Sequence, residues 1–255
     1  MKNIWFIAKK EIKTYFTSPI AYVAITVFLV LVGFFFYSLI WWFNSQAIQM
    51  AQNPYYYQQM NINQMVYSPL FHNMSIILLL MIPLLTMRLF SEEKKIGTDE
   101  LLYTSPLSVG QIILGKYLAA LIVLVVMLLL TGIFSIFTFA YGNPEPAPLL
   151  NGYLGLFLMG AAFIGVGIFF SSLTENQIVS AILTFGALLL FWILNWASYS
   201  AGGIWKGILN YLSFFQHFDD LTQGILDTTD VVYYVSFAFF GLFLTHSVIQ
   251  SRRWR

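Results

Sequence analysis

Residues 20–43, IAYVAITVFLVLVGFFFYSLIWWF, run for 24 positions without one charged side chain. A helix needs about 20 apolar residues to cross the hydrocarbon of a bilayer, so this run is long enough to span it. It sits inside a wider gap, since no Asp, Glu, Lys or Arg occurs between Lys13 and Arg88. Further uncharged runs fill 117–144, 146–174, 176–205 and 231–251. The 255 residues are 59% hydrophobic and 9% charged, with a mean hydropathy of +0.76. Soluble domains carry roughly 25% charged residues, so this chain lacks the charge to cover a water-facing surface.

The pattern predicts an all-α integral membrane protein, one bundle over 1–255 with spans at 20–43, 69–89, 112–140, 152–173, 178–197 and 230–249. Trp41 and Trp42 close the first span with aromatics suited to a membrane interface, and Pro83 is placed to kink the second. Ala161, Gly165 and Gly167 read as small residues that let helices pack closely. The first span is too long for the apolar core of a signal peptide and is expected to be retained.

An even number of spans puts both termini on one side. Lys2, Lys9, Lys10, Lys13, Arg88, Lys94, Lys95, Lys116, Arg252, Arg253 and Arg255 share that side, and only Lys206 lies across the membrane from them. Basic residues mark the cytoplasmic face, so both termini are expected in the cytoplasm. The acids divide six to five and carry no such information.

Three segments are not spans. Residues 1–17 show a helical period in which Lys2, Lys9, Lys10 and Lys13 share an arc of about 100°, while Ile4, Trp5, Ala8, Ile12 and Tyr15 face away. This predicts an amphipathic helix on the membrane surface, either a plain anchor to anionic lipids or a lever reaching a cytoplasmic partner. Residues 44–68 form an uncharged external loop with ten Asn or Gln and four Tyr. Residues 204–216, IWKGILNYLSFFQ, are too short to cross and predict an interfacial or re-entrant helix between spans five and six. Asp227 and Asp230 are placed to cap the sixth span.

Chemistry inside the spans is scarce. Intramembrane transport or catalysis usually leaves ionisable residues there, and only His72 and His246, near span ends, and the neutral Asn195 qualify. A single HFDD at 217–220 has no second aspartate-rich partner motif, so no metal centre is expected. Zero cysteines exclude disulfides and thiolate sites. Gly110 to Tyr117, GQIILGKY, nearly matches a phosphate-binding loop. Tyr117 replaces the hydroxyl residue that would hold Mg²⁺, and no strand precedes it. The stretch reads as the membrane entry of span three, with Lys116 snorkelling at the interface. No catalytic residue, cofactor or nucleic-acid surface is expected in this chain.

The charge that is present gathers at residues 88–108, RLFSEEKKIGTDELLYTSPLS, which hold seven of the chain's 23 charged side chains. Gly97 ends one short helix there, and Thr98 is placed to cap a second with Leu101 and Leu102 on its apolar side and Pro106 at its stop. Basic residues alone would satisfy the positive-inside rule. Four acids (Glu92, Glu93, Asp99, Glu100) beside Leu-Leu-Tyr point instead to a docking surface for a soluble protein.

The order of acidic pair Glu92-Glu93, Gly97-Thr98, Glu100-Leu101-Leu102, Pro106, then Gly115-Lys116 resembles the segment after the second span of ABC-2 type permeases. KKEIKTYFTSPIAYV (9–23) and HFDDLTQGILDTTDVVYY (217–234) resemble the gliding-motility branch of that family. The resemblance implies a permease subunit in the inner (cytoplasmic) membrane that pairs with a second permease chain and two copies of an ATP-binding subunit, which would hold the ATP and Mg. It makes 91–107 the coupling segment seated on the ATPase, through Glu92, Glu93, Gly97, Thr98, Glu100, Leu101, Leu102 and Pro106. Lys9, Lys10 and Lys13 would then belong to an interfacial lever beside the membrane lipids. The remaining alternatives are a scaffold that anchors an ATPase in a motility or secretion machine, and a secondary transporter or membrane enzyme.

Overall fold

A computed structural model of the chain describes residues 2–50, 60–98, 107–142, 144–200 and 202–253, the side chains of 199, 252 and 253 excepted. Helix α1 (Lys2–Thr17) precedes α2 (Pro19–Met50). A π-turn over Asn63–Tyr67 leads into α3 (Ser68–Thr86), which is followed after a break at Met87 by α4 (Arg88–Ile96). Then come α5 (Val109–Tyr141), α6 (Pro146–Leu173) and α7 (Gln177–Ser200). Two short helices, α8 (Ile204–Leu212) and α9 (Phe214–Thr222), precede α10 (Thr228–Arg253). Six helical segments are long and apolar enough to cross a membrane, and no strand occurs among the described residues. The protein is an all-α polytopic membrane protein.

Burial sorts the spans. The most apolar windows of the α3–α4 run and of α6 are 72% buried, against 22% for α2 and 17% for α7. The central pair therefore meets protein on nearly all sides, while the outer helices turn apolar faces outward, as a lipid solvent allows. Small residues set the closest approaches. A Cβ at Gly165 would stand 2.9 Å from the Ala238 carbonyl oxygen of α10, and one at Gly241 only 2.5 Å from Gly165. Ala161, Gly165 and Gly167 thus serve helix packing, Gly167 against Thr86 of α3.

Several elements outrun the expected boundaries. Helix α2 continues seven residues past 43 through Ser45, Gln46, Ala47, Gln49 and Met50. Hydropathy falls there but helix propensity does not, and Ala, Gln and Met are good helix formers. Residues 63–68, assigned to the external loop, are wound into the π-turn and the start of α3, and 51–59 lie outside the described residues. Helix α6 starts at Pro146 rather than 152, with proline in the first turn where its missing N–H costs nothing. The segment 204–216 is two helices. Ser213 breaks it, its hydroxyl accepting from Phe215 N at 3.2 Å, so Phe214 can turn inward against Phe163, Phe191 and Phe237. Asp227 accepts from Thr229 N at 3.0 Å, and that bond holds its carboxyl below the usual value.

Candidate coupling site

Only Met87 separates α3 from α4: it keeps helical dihedrals (φ −52°, ψ −33°) and its N–H donates to Pro83 O at 2.9 Å, and α4 begins without a side-chain cap of its own. The cap comes from another helix. Ser171 Oγ of α6 accepts from Phe90 N at 3.0 Å and Ser91 N at 3.2 Å, and donates to Met87 O at 2.9 Å. Ser91 Oγ returns a buried bond to Ser171 O at 3.1 Å. Lys94 Nζ donates to Ser172 O. The far end closes with Gly97 at φ 75°, Gly97 N bonding to Lys94 O at 3.1 Å and Thr98 N to Glu93 O at 2.9 Å, a Schellman stop. Removing the shared cap should cost about 1–2 kcal/mol. Ser171→Ala is therefore expected to raise protease cleavage within 88–98 while the rest of the bundle stays protected, and unchanged cleavage would remove this role.

Helix α1 lies against the first half of α5. A Cβ at Gly115 would fall 2.7 Å from Ile7 Cβ and 3.0 Å from Ile4 O, so the two backbones touch there. Glu11, centred on the apolar face of α1, is 7% exposed. Its partner is Lys116, itself 1% exposed. Lys116 Nζ is 3.0 Å from Glu11 Oε1, 2.9 Å from Glu93 Oε2 and 2.6 Å from Leu89 O, and 5.1 Å above the Phe90 ring. Lys10 reaches the same acids from outside, 3.2 Å from Glu93 Oε1 and 3.8 Å from Glu11 Oε1. Burial lowers the Lys10 pKa, but Glu93 and Glu11 together outweigh it and hold it above the usual value. A raised ammonium stabilises fully at neutral pH and loses that contribution only as pH rises through the folded value, above 10.5.

Two ammoniums and two carboxylates thus form a neutral cluster joining α1, α4 and α5. A second fastening lies beside it. Tyr15 Oη donates to Leu85 O at 2.7 Å, and Arg88 stacks 4.8 Å over the Tyr15 ring. Burial holds the Tyr15 phenol protonated, its pKa well above the ordinary value.

The expected snorkelling of Lys116 is overturned: its side chain is 1% exposed and bonded to Glu11 of α1 and to Glu93 and Leu89 O of α4. Each residue of the Gly115-Lys116-Tyr117 run serves a different neighbour, since Tyr117 Oη donates to Ala161 O of α6 at 3.2 Å. Gly115→Val should overpack the crossing and cost about 1–3 kcal/mol. A lowered melting temperature in detergent is the expected reading, and an unchanged one would place α1 away from α5.

Of the predicted site residues, Glu93 enters the cluster, Glu92 sits loosely 3.9 Å from Arg88, Gly97 makes the stop, and Thr98 Oγ1 turns back to Glu93 O at 3.3 Å. Glu100, Leu101, Leu102 and Pro106 lie outside the described residues. Lys9 and Lys13 are exposed. Trp5 and Phe6 are also exposed, at 57% and 66%. The bundle covers only the strip through Ala8, Glu11 and Tyr15, and Trp5 falls at its edge. Glu11, Arg88, Lys116 and Ser171 were not predicted as site residues. Glu11 carried a signal: an acid in the middle of an apolar helix face calls for a buried cation.

The fold and this site define a polytopic helical membrane protein whose N-terminal helix and inter-span helix are clasped to one span. Residues 5–249 match the model of the ABC-2 family transporter proteins, and the chain belongs to that family. It is 30% identical over 139 residues to the protein named "Probable multidrug ABC transporter permease YbhR" of Escherichia coli strain K12, and equally to that of Escherichia coli O157:H7. The match takes in 53% of this chain and 37% of each relative, so it spans little more than a third of their length.

Proposed function

We propose that this chain is the permease subunit of an ATP-driven exporter in the inner membrane, with α1 and α4 on the cytoplasmic side and both termini there. The observation that carries the reading is the Glu11–Lys116–Glu93 cluster. It makes α1, α4 and the first turns of α5 one mechanical unit at the edge of the bilayer. A push on α4 from a soluble motor then reaches a span directly, through charges that cannot be parted cheaply. Family membership and the permease relatives support this reading, and the excess of Lys and Arg at that end supports the orientation.

On this reading the chain performs no catalysis. ATP and Mg are held by an ATP-binding subunit present in two copies, and a second permease chain, the same or related, completes the pore. The resemblance of the stretches 9–23 and 217–234 to the gliding-motility branch supports a role of that type. Affinity purification of the tagged protein in mild detergent tests the proposal. A stoichiometric partner with a true phosphate-binding loop is expected, with ATP hydrolysis stimulated by a transported solute. A partner whose ATPase responds to no solute would leave an anchor in its place, and a chain that purifies alone would end the reading.

A further inference from the structure

At the end of the bundle opposite α4, helix α9 is held by two histidine–aspartate pairs that run in opposite directions. Its Asp219 Oδ1 lies 2.6 Å from Nε2 of His72 on α3. Its own His217 Nδ1 lies 2.7 Å from Asp230 Oδ1 on α10. The second nitrogen of each ring is also occupied, His72 Nδ1 by Ser68 O at 2.7 Å and His217 Nε2 by Tyr211 O at 3.0 Å. Carboxylates and backbone carbonyls only accept. With both aspartates ionised, all four bonds exist together only when each ring carries a proton on both nitrogens, as imidazolium. A neutral ring has one N–H and leaves a lone pair facing an oxygen at its other contact.

We propose that α9 is a proton-sensitive latch, fastened to α3 and α10 when both imidazoles are charged and loosened when they are neutral. The inference stands apart from the permease reading, since it rests on this end of the bundle alone. The surroundings make the charges interdependent. The His217 and Asp230 side chains are 8% and 5% exposed, and Asp230 Oδ2 is buried without a hydrogen-bond partner, so an uncharged His217 would leave a buried carboxylate with no counter-charge. His217 stacks on the Tyr233 ring at 4.1 Å and meets Tyr211 edge-on at 5.6 Å. His72 sits between Phe215 at 4.7 Å and Phe218 at 5.4 Å, both of α9.

The other titratable groups near the pairs are Asp220 on α9, Asp227 just before α10, and Tyr234 on α10. Helices α6 and α7 bring no acidic or basic residue, while α8 brings the exposed Lys206 and the exposed Glu145 precedes α6. Burial raises the Asp220 carboxyl, Asp230 and Asp219 raise it further, and His217 opposes them. Loss of the imidazolium charges leaves Asp219, Asp220 and Asp230 repelling one another across α9. Protonation and fastening are linked, so the latch tightens as pH falls and opens as it rises.

The chain has no cysteine, which makes a single introduced thiol a clean reporter. Leu221, 0% exposed on the inner side of α9, becomes reactive to a maleimide only when α9 lifts. The labelling rate of Leu221→Cys, divided by that of the exposed control Gln216→Cys, cancels the intrinsic pH dependence of the thiol. The ratio is expected to rise on the order of tenfold between pH 6 and pH 8. Adding His72→Phe with His217→Phe should abolish the rise. Asp219→Asn, which keeps an acceptor for His72 and removes only the charge, should roughly halve it on a logarithmic scale. A flat ratio in the otherwise unaltered chain, or a rise that survives in the Asp219→Asn and double-histidine backgrounds, overturns the latch.

Discussion

Replacing Lys116 by Met is expected to lower the stability of the protein by about 3–5 kcal/mol, the cost of breaking a buried ion pair by removing one partner. Met nearly fills the volume of Lys, so little of that loss comes from a cavity. What remains is charge. Glu11 and Glu93 are drawn together by one ammonium at 3.0 and 2.9 Å, and without it they face each other with only Lys10, whose side chain is 63% exposed, between them and water. Thermal unfolding in detergent should show the effect as a drop of roughly 10 °C. Restoring neutrality distinguishes electrostatics from packing. Adding Glu11→Gln and Glu93→Gln to Lys116→Met should recover most of the loss, because a buried ion cluster replaced as a whole is often neutral in stability. A single Lys116→Met variant that melts with the unaltered chain would show that the cluster holds nothing together.

How such a cluster escapes a reading of the sequence is instructive. The spans are legible because each rests on local composition: 20 or more apolar residues in a row mean the same thing wherever they fall. Their ends were less so, since α2 runs on through Gln46, Ala47 and Gln49 on propensity after hydropathy has failed. The stop of α4 at Gly97 was legible, because a left-handed C-cap is a local demand. Lys116 was not. Its partners lie 105 positions away at Glu11 and 23 away at Glu93, and a lone lysine at the start of a span has a complete local explanation in the headgroups. Ser171 is hidden for the same reason, since a serine at the end of a span reveals nothing of a helix 80 residues earlier that it caps. The histidines illustrate the converse. His72 and His217 read singly as plain polar residues, and only the fold sets each between two acceptors.

Ile96→Asp is expected to abolish association with the proposed ATP-binding subunit while leaving the melting temperature of the isolated chain unchanged. Ile96 is the last residue of α4, 66% exposed, beside the exposed Lys95. The opposite face of α4, through Leu89, Phe90, Ser91 and Lys94, is buried, so α4 is anchored on one side and presents its tip on the other. An aspartate at the centre of a desolvated contact should cost 2 kcal/mol or more, about a thirtyfold loss of affinity, enough to empty a co-purification. Glu93→Arg, which the sequence alone would recommend, is the wrong probe: Glu93 is 13% exposed and tied to Lys116, so its reversal would damage the clasp before it touched any partner. The two substitutions therefore separate docking from transmission. Ile96→Asp should lose the motor and keep the fold. Glu11→Gln should keep the motor and weaken the link from α1 to α5, so that the ATPase still binds but no longer responds to solute. Retention of the ATP-binding subunit by Ile96→Asp would move the contact off α4, and an unaltered solute response in Glu11→Gln would mean that α1 carries none of the motion.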